Sequence, residues 1–161
     1  MSYTIPPRTH IGHVHLKVAD LERSLKFYRD LLGFEITQYY GEGAVFLSAG
    51  GYHHHIGLNT WYSKNAGPAP ARAAGLYHLA IVYPERKDLA NIFRRLRDAS
   101  YPMTGASDHG VSEALYMNDP DQNGVELYWD RPKNEWPVDN NGQLQMVTEP
   151  LDLEELLSLA E

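Results

Sequence analysis

Residues 11–33 read IGHVHLKVADLERSLKFYRDLLG. From Ile11 to Ala19 the residues alternate, which predicts a strand with Ile11, His13, His15 and Lys17 on one face and Val14, Leu16 and Val18 on the more closely packed other. Asp20 then offers an N-cap. Leu21, Leu25, Tyr28 and Leu32 recur at helical spacing, and Gly33 stands where a helix stop is expected, so residues 21–32 are predicted to form an amphipathic helix. Short strands are expected around residues 35–40, 44–48 and 53–61, separated by turns containing Gly41, Gly43, Gly50 and Gly51. The order is strand, helix, three strands.

Residues 63–74, SKNAGPAPARAA, lack periodicity and read as a connection. The pattern then restarts. LYHLAIVY at 76–83 is a strand; Leu89, Ile92, Phe93, Leu96 and Ala99 mark a helix; strands follow near 103–106, 113–117 and 124–129. An internal repeat of this kind puts His13 and His78 in the first strand of their respective halves. It also aligns Val125, Glu126 and Leu127 with Ile56, Gly57 and Leu58, so that Gly57 stands where a second carboxylate would have been. Two histidines and one carboxylate, with further coordination positions left open, are the ligand choice of non-haem Fe(II) oxygenases. Glu126 adds its own argument, because a carboxylate between two apolar residues of a strand is costly to bury unpaired, and a metal would neutralise it. From Arg131 onward the chain becomes polar and contains prolines, then closes with residues 151–160, which suggest a short helix used for packing or a dimer contact.

The bulk properties narrow the function classes. The chain has 161 residues, 43% hydrophobic and 22% charged, which fits one domain or one domain of two similar halves. A net charge of -7 argues against nucleic acid as the main partner, and the run Arg94, Arg95, Arg97 reads as the solvated side of a helix. Cysteine is absent, which excludes disulfides, thiolate metal sites and a cysteine nucleophile. The N-terminal MSYTIPPRTH has no apolar signal core and no stretch approaches a membrane span, so a cytoplasmic protein without a membrane partner is expected.

Three segments carry a family resemblance: GHVHLKVADLERSLKFYRDLLGF, GLYHLAIVY and YMNDPDQNGVELYWDRP. In this order and spacing the chain resembles the vicinal oxygen chelate superfamily of glyoxalases, fosfomycin and bleomycin resistance proteins and type I extradiol dioxygenases, and within it the catechol 2,3-dioxygenase branch. The resemblance implies an α+β fold of paired βαβββ modules, a curved mixed sheet around a metal site. It covers one domain over residues 9–131, with modules of about 9–62 and 75–131, followed by a C-terminal extension over 132–161. It implies His13, His78 and Glu126 as metal ligands, with Fe(II) as the expected ion and Mn(II) or another divalent metal as the alternative. It also implies an active-site tyrosine at Tyr116, ten residues before Glu126 across an NDPDQNG turn, and a supporting histidine at His109. The stretch from His109 to Tyr116 is slightly shorter than in the larger enzymes. His54 in HHHIGL aligns best with the acid/base histidine, and a shift of one would substitute His53 or His55. His15 shares a strand face with His13 and is expected to look into the pocket, where His55, Asn59 and Trp61 are candidates for shaping the substrate site. Asp119, Asp121 and Gly124 read as turn formers.

The activity so implied is extradiol cleavage of a catechol-type aromatic diol by dioxygen, with His54 supplying the proton, Tyr116 hydrogen-bonding the reacting oxygen and His109 steering the substrate, in a homodimer. A glyoxalase-like isomerase or fosfomycin-resistance-like transferase is one rival, weakened by Gly57. A protein that binds an aromatic drug without turnover is another, and it would not need the three ligands at all.

Overall fold

The computed structural model describes residues 2–161. It divides into two compact units, one ending at Gly67 and the other starting at Pro68.

The first unit runs β1 (Val14–Lys17), α1 (Leu21–Leu25), β2 (Glu35–Tyr40), β3 (Ala44–Ser48) and β4 (Ile56–Asn59). Its sheet has the order β1-β4-β3-β2, with β1 parallel to β4 and the other pairs antiparallel. The expected alternation holds: Leu16 and Val18 are buried while His15 and Lys17 are exposed. Asp20 caps α1, its carboxylate accepting the Arg23 N–H at 2.7 Å. The expected helix over 21–32 forms in two parts, because α1 passes into a π-helical segment, Lys26–Leu31. That wider turn brings Phe27 as well as Tyr28 into the core, their rings meeting edge to face at 4.9 Å. Gly33 ends the helix at φ +88°, as a C-terminal glycine does.

The second unit repeats the order with β5 (His78–Tyr83), α2 (Arg86–Asp98), β6 (Met103–Asp108), β7 (Ser112–Asn118) and β8 (Gly124–Asp130), then adds β9 (Glu149–Pro150) and α3 (Leu153–Ser158). The sheet order is β5-β8-β7-β6-β9, with β5 parallel to β8. Leu89, Ile92, Phe93 and Leu96 of α2 pack with Leu79, Leu115, Val125 and Leu127 in its core, and Leu156 anchors α3 there. A buried carboxylate braces this half: Glu113 accepts from Arg86 at 2.7 Å and from Arg131 at 2.8 Å, while Arg86 also holds Glu155 of α3 at 2.8 Å.

Register makes the repeat concrete. His15 pairs with Gly57 in the first sheet, and Ala80 pairs with Glu126 in the second. Stepping back two residues on β5 reaches His78, and the same step on the chain entering β1 reaches His13, so the two histidines are equivalent as expected. The strands themselves are shorter than the alternation suggests. His13 precedes β1, and His53, His54 and His55 precede β4, because the ladder opens where the Val14 N–H meets the His55 carbonyl at 3.0 Å. The strand β9, an edge piece with a proline, carries no alternation and was not expected. No helix among the described residues is long and apolar enough to cross a membrane.

Candidate functional site

Adjacent strands of the second sheet place His78, Glu126 and Tyr116 side by side: Glu126 of β8 pairs with Tyr116 of β7, and Gly124 pairs with His78 of β5. Gly124 is needed there, since a Cβ would collide with the Tyr77 carbonyl oxygen and crowd the His78 Cβ at 3.0 Å. The Glu126 carboxylate is used on both oxygens. Oε2 lies 3.0 Å from His78 Nε2, and Oε1 accepts the Tyr116 hydroxyl at 3.0 Å. The Tyr116 oxygen in turn lies 2.7 Å from His109 Nε2, and His109 Nδ1 lies 2.8 Å from the Val147 carbonyl. A continuous row therefore runs from His78 through Glu126, Tyr116 and His109 to the C-terminal segment. Burial, then the charge of Glu126 and the hydrogen bond to it, push the Tyr116 phenol well above its ordinary pKa, so it stays a hydroxyl and a donor.

The first unit holds an imidazole cluster. The His13 and His54 rings are 4.3 Å apart, and Phe46 backs His54 at 4.8 Å. His53 and His54 share a proton between their Nδ1 atoms at 2.8 Å. Partial burial first, then the neighbouring imidazoles with His13 foremost, hold His54 below the ordinary histidine pKa. His15 is lowered too, by burial and then by His13. Its ring lies over Gly57, where an added Cβ would come within 2.9 Å of His15 Cγ. The position at which the repeat lacks a carboxylate is thus covered by an imidazole.

A family profile, that of the Glyoxalase/Bleomycin resistance protein/Dioxygenase superfamily, matches residues 10–127. The chain belongs to this superfamily. It is 40% identical over 153 residues to a catechol-2,3-dioxygenase of Bacillus subtilis (strain 168), covering 94% of this chain and 52% of that protein. It is 32% identical over 130 residues to biphenyl-2,3-diol 1,2-dioxygenase 3 of Rhodococcus globerulus, covering 79% of this chain and 65% of that one. The chain therefore spans about half to two thirds of the length of these relatives. Among solved structures, a lactoylglutathione lyase from Agrobacterium tumefaciens aligns with a TM-score of 0.59 at 22% identity over 77% of this chain and 96% of that one. A glyoxalase/dioxygenase from Nostoc punctiforme aligns at 0.64 and 15% over 82% and 99%. These two likenesses establish the α+β fold.

Within this superfamily member, the chemistry of the donors can be tested against a metal. His78 Nε2 and Glu126 Oε2 lie 3.0 Å apart, so both donors could be offered to one ion. Both side chains keep some exposure, 33% and 13%, so the pair can be reached. The nitrogen and oxygen donors fit a divalent first-row metal. Among the described residues no three His, Cys, Asp or Glu side chains are already gathered around one point.

The other expected residues are distributed over the two units. Tyr116 and His109 join the row on the second sheet, and His54 and His15 join the His13 cluster. Trp61 is half exposed, its ring 5.6 Å from that of His15 and seated over Gly43. His55 is held instead by Ser48 Oγ at 3.1 Å and by the Ala49 N–H, which donates to its Nδ1 at 3.3 Å. Asn59 is buried, and its side-chain oxygen accepts the Trp61 N–H at 3.2 Å. Asp119 shapes the turn before β8, accepting the N–H groups of Asp121 and Asn123 at 2.9 Å. Two partners escaped the sequence reading. Phe46 carried an apolar signal indistinguishable from core, and Val147 acts through its backbone.

Proposed function

We propose that the chain is an Fe(II)-dependent extradiol dioxygenase acting on a catechol-type diol. The observation that supports this reading most is the row His78, Glu126, Tyr116, His109, in which a candidate ligand carboxylate is held by a protonated phenol that is itself held by an imidazole. His78 and Glu126 are assigned as ligands on their geometry, and His13 is assigned with them from its equivalence to His78 in the repeat.

Bound iron would supply the template and the path for electrons between diol and dioxygen. The chain's own groups handle protons and orientation. Tyr116, held beside Glu126, can turn its single hydroxyl proton from the carboxylate toward a substrate oxygen and stabilise negative charge that develops there. His54 moves a proton to or from the substrate oxygens; its lowered pKa leaves the ring neutral at rest and makes a proton it has taken up easy to hand on. His15 and Trp61 form an aromatic wall suited to a planar ring. The His15 ring over Gly57 argues against a fourth, carboxylate ligand and so against the glyoxalase-like reading.

The test is anaerobic loading with Fe(II), then oxygen and a panel of substituted catechols, with oxygen uptake and yellow ring-fission products recorded. Uptake matched to product formation is expected. Iron-loaded protein that consumes no oxygen and forms no coloured product across the panel rules the reading out. His78→Ala is expected to lose the metal, and stoichiometric retention would refute the ligand assignment.

A further inference from the structure

The segment after β8 does more than pack. Residues 145–150 lie along the loop that carries His109: the Val147 N–H donates to the His109 carbonyl at 3.1 Å, and β9 pairs Glu149 with Asp108 and Pro150 with Ser107. Gln145 N–H is tied to the Pro137 carbonyl at 2.9 Å. Behind it, α3 is fixed to α2 through Glu155 and Arg86 and through buried Leu156. Gly110 makes the close approach possible, because at φ +74° it tolerates the turn, and a Cβ there would reach within 2.9 Å of Pro137 Cγ and 3.4 Å of Val147 Cγ2.

The hydrogen-bond chemistry at the end of this strap fixes where one His109 proton sits. A carbonyl oxygen only accepts, so the 2.8 Å contact to Val147 requires the proton on Nδ1. Thr148 Oγ1, 3.4 Å from the same nitrogen, can accept from it as well. In the neutral ring Nε2 is then an acceptor, and it faces the Tyr116 hydroxyl at 2.7 Å. Tyr116 has a single proton and two acceptors, His109 Nε2 and Glu126 Oε1. Release of the strap would let His109 take the opposite tautomer, donate to Tyr116 and leave the phenol proton on Glu126 alone. We propose that residues 145–150 are a positioning strap, whose Val147 carbonyl holds His109 as the Nδ1–H form and keeps a proton acceptor against Tyr116. The strap thereby makes the C-terminal extension part of the reacting apparatus, and this role rests on the dioxygenase reading above.

The experiment reads the tautomer directly and separately from turnover. In the full chain labelled with 15N-histidine and loaded with Zn(II) as a diamagnetic probe, a long-range 1H–15N spectrum assigned with His109→Gln is expected to show His109 protonated on Nδ1. Val147→Pro removes the N–H that docks the strap, and Gly110→Ala strains the turn and presses on Pro137, whose carbonyl holds Gln145 at the strap's start, so the two perturb it in different ways. Both are expected to move His109 to the Nε2–H form and to lower kcat of the Fe(II) enzyme roughly ten-fold, with metal stoichiometry and KM little changed. Circular dichroism confirms that each is folded; if one is not, the other carries the test. An Nε2–H tautomer in the wild-type chain overturns the proposal, as does a folded strap variant with wild-type tautomer and kcat. If the wild type holds the Nδ1–H form and consumes no oxygen with any catechol, the dioxygenase reading falls and the strap contact stands.

Discussion

Replacing Tyr116 by Phe deletes one oxygen and with it both central links of the row, at 2.7 Å to His109 and 3.0 Å to Glu126. The bond to the carboxylate is charge-assisted, a class that contributes roughly 1.5–3 kcal/mol. Two features reduce the loss: Glu126 keeps His78 on its other oxygen, and its side chain is 13% exposed, so water can reach the vacated position. A stability loss of about 1–2 kcal/mol follows, read as a lower urea midpoint with unchanged slope. The larger expected effect is on the metal. A hydroxyl that orients a ligating carboxylate is worth roughly 10–100-fold in affinity, so anaerobic Fe(II) titration of Tyr116→Phe should give a dissociation constant raised by about that factor. Wild-type metal affinity together with a wild-type urea midpoint would refute the claim that Tyr116 orients Glu126.

Glu113→Gln leaves two guanidinium groups facing a neutral amide in a place where the carboxylate side chain is 2% exposed. Breaking a buried pair costs roughly 3–5 kcal/mol, and since Arg86 and Arg131 keep Glu155 and Asp108, a loss near 3 kcal/mol is expected in urea unfolding; a loss below about 1 would contradict the brace. Gly57→Ala should cost about 1–3 kcal/mol through the His15 ring, and combining it with His15→Ala should recover much of that; strict additivity would mean the two do not touch. Gly124→Ala should displace His78 and weaken metal binding by more than Tyr116→Phe does, and an unchanged affinity would show that the Gly124 contact does not set the ligand's place.

Much of the fold was legible because the repeat is written in two independent periods. Strand alternation and helical spacing located β2 and β3 to the residue and placed Gly33 at its helix stop. Errors arose where a pattern outran its partner. His13 continues the alternation of β1, and His53 to His55 precede Ile56 without a break in character, but a strand ends where its neighbour's hydrogen bonds end. The π-helical turn is invisible to a period of 3.6, so Phe27 was not expected in the core beside Tyr28. At the candidate site, residue types led to His78, Glu126, Tyr116 and His109, since imidazole, carboxylate and phenol are legible as letters. What fills the space over Gly57 depends on the orientation of the His15 ring, and the Val147 contact belongs to a carbonyl that every residue possesses. Neither has a signature in residue identity.

The central claim is that this chain inserts dioxygen beside the hydroxyls of a catechol. Fe(II)-loaded protein turned over under 18O2, with the product analysed by mass spectrometry, tests it most directly. The account predicts a ring-opened semialdehyde acid carrying both atoms of one dioxygen molecule. A product without the label, or intact catechol after exposure to oxygen with the metal still bound, would contradict it.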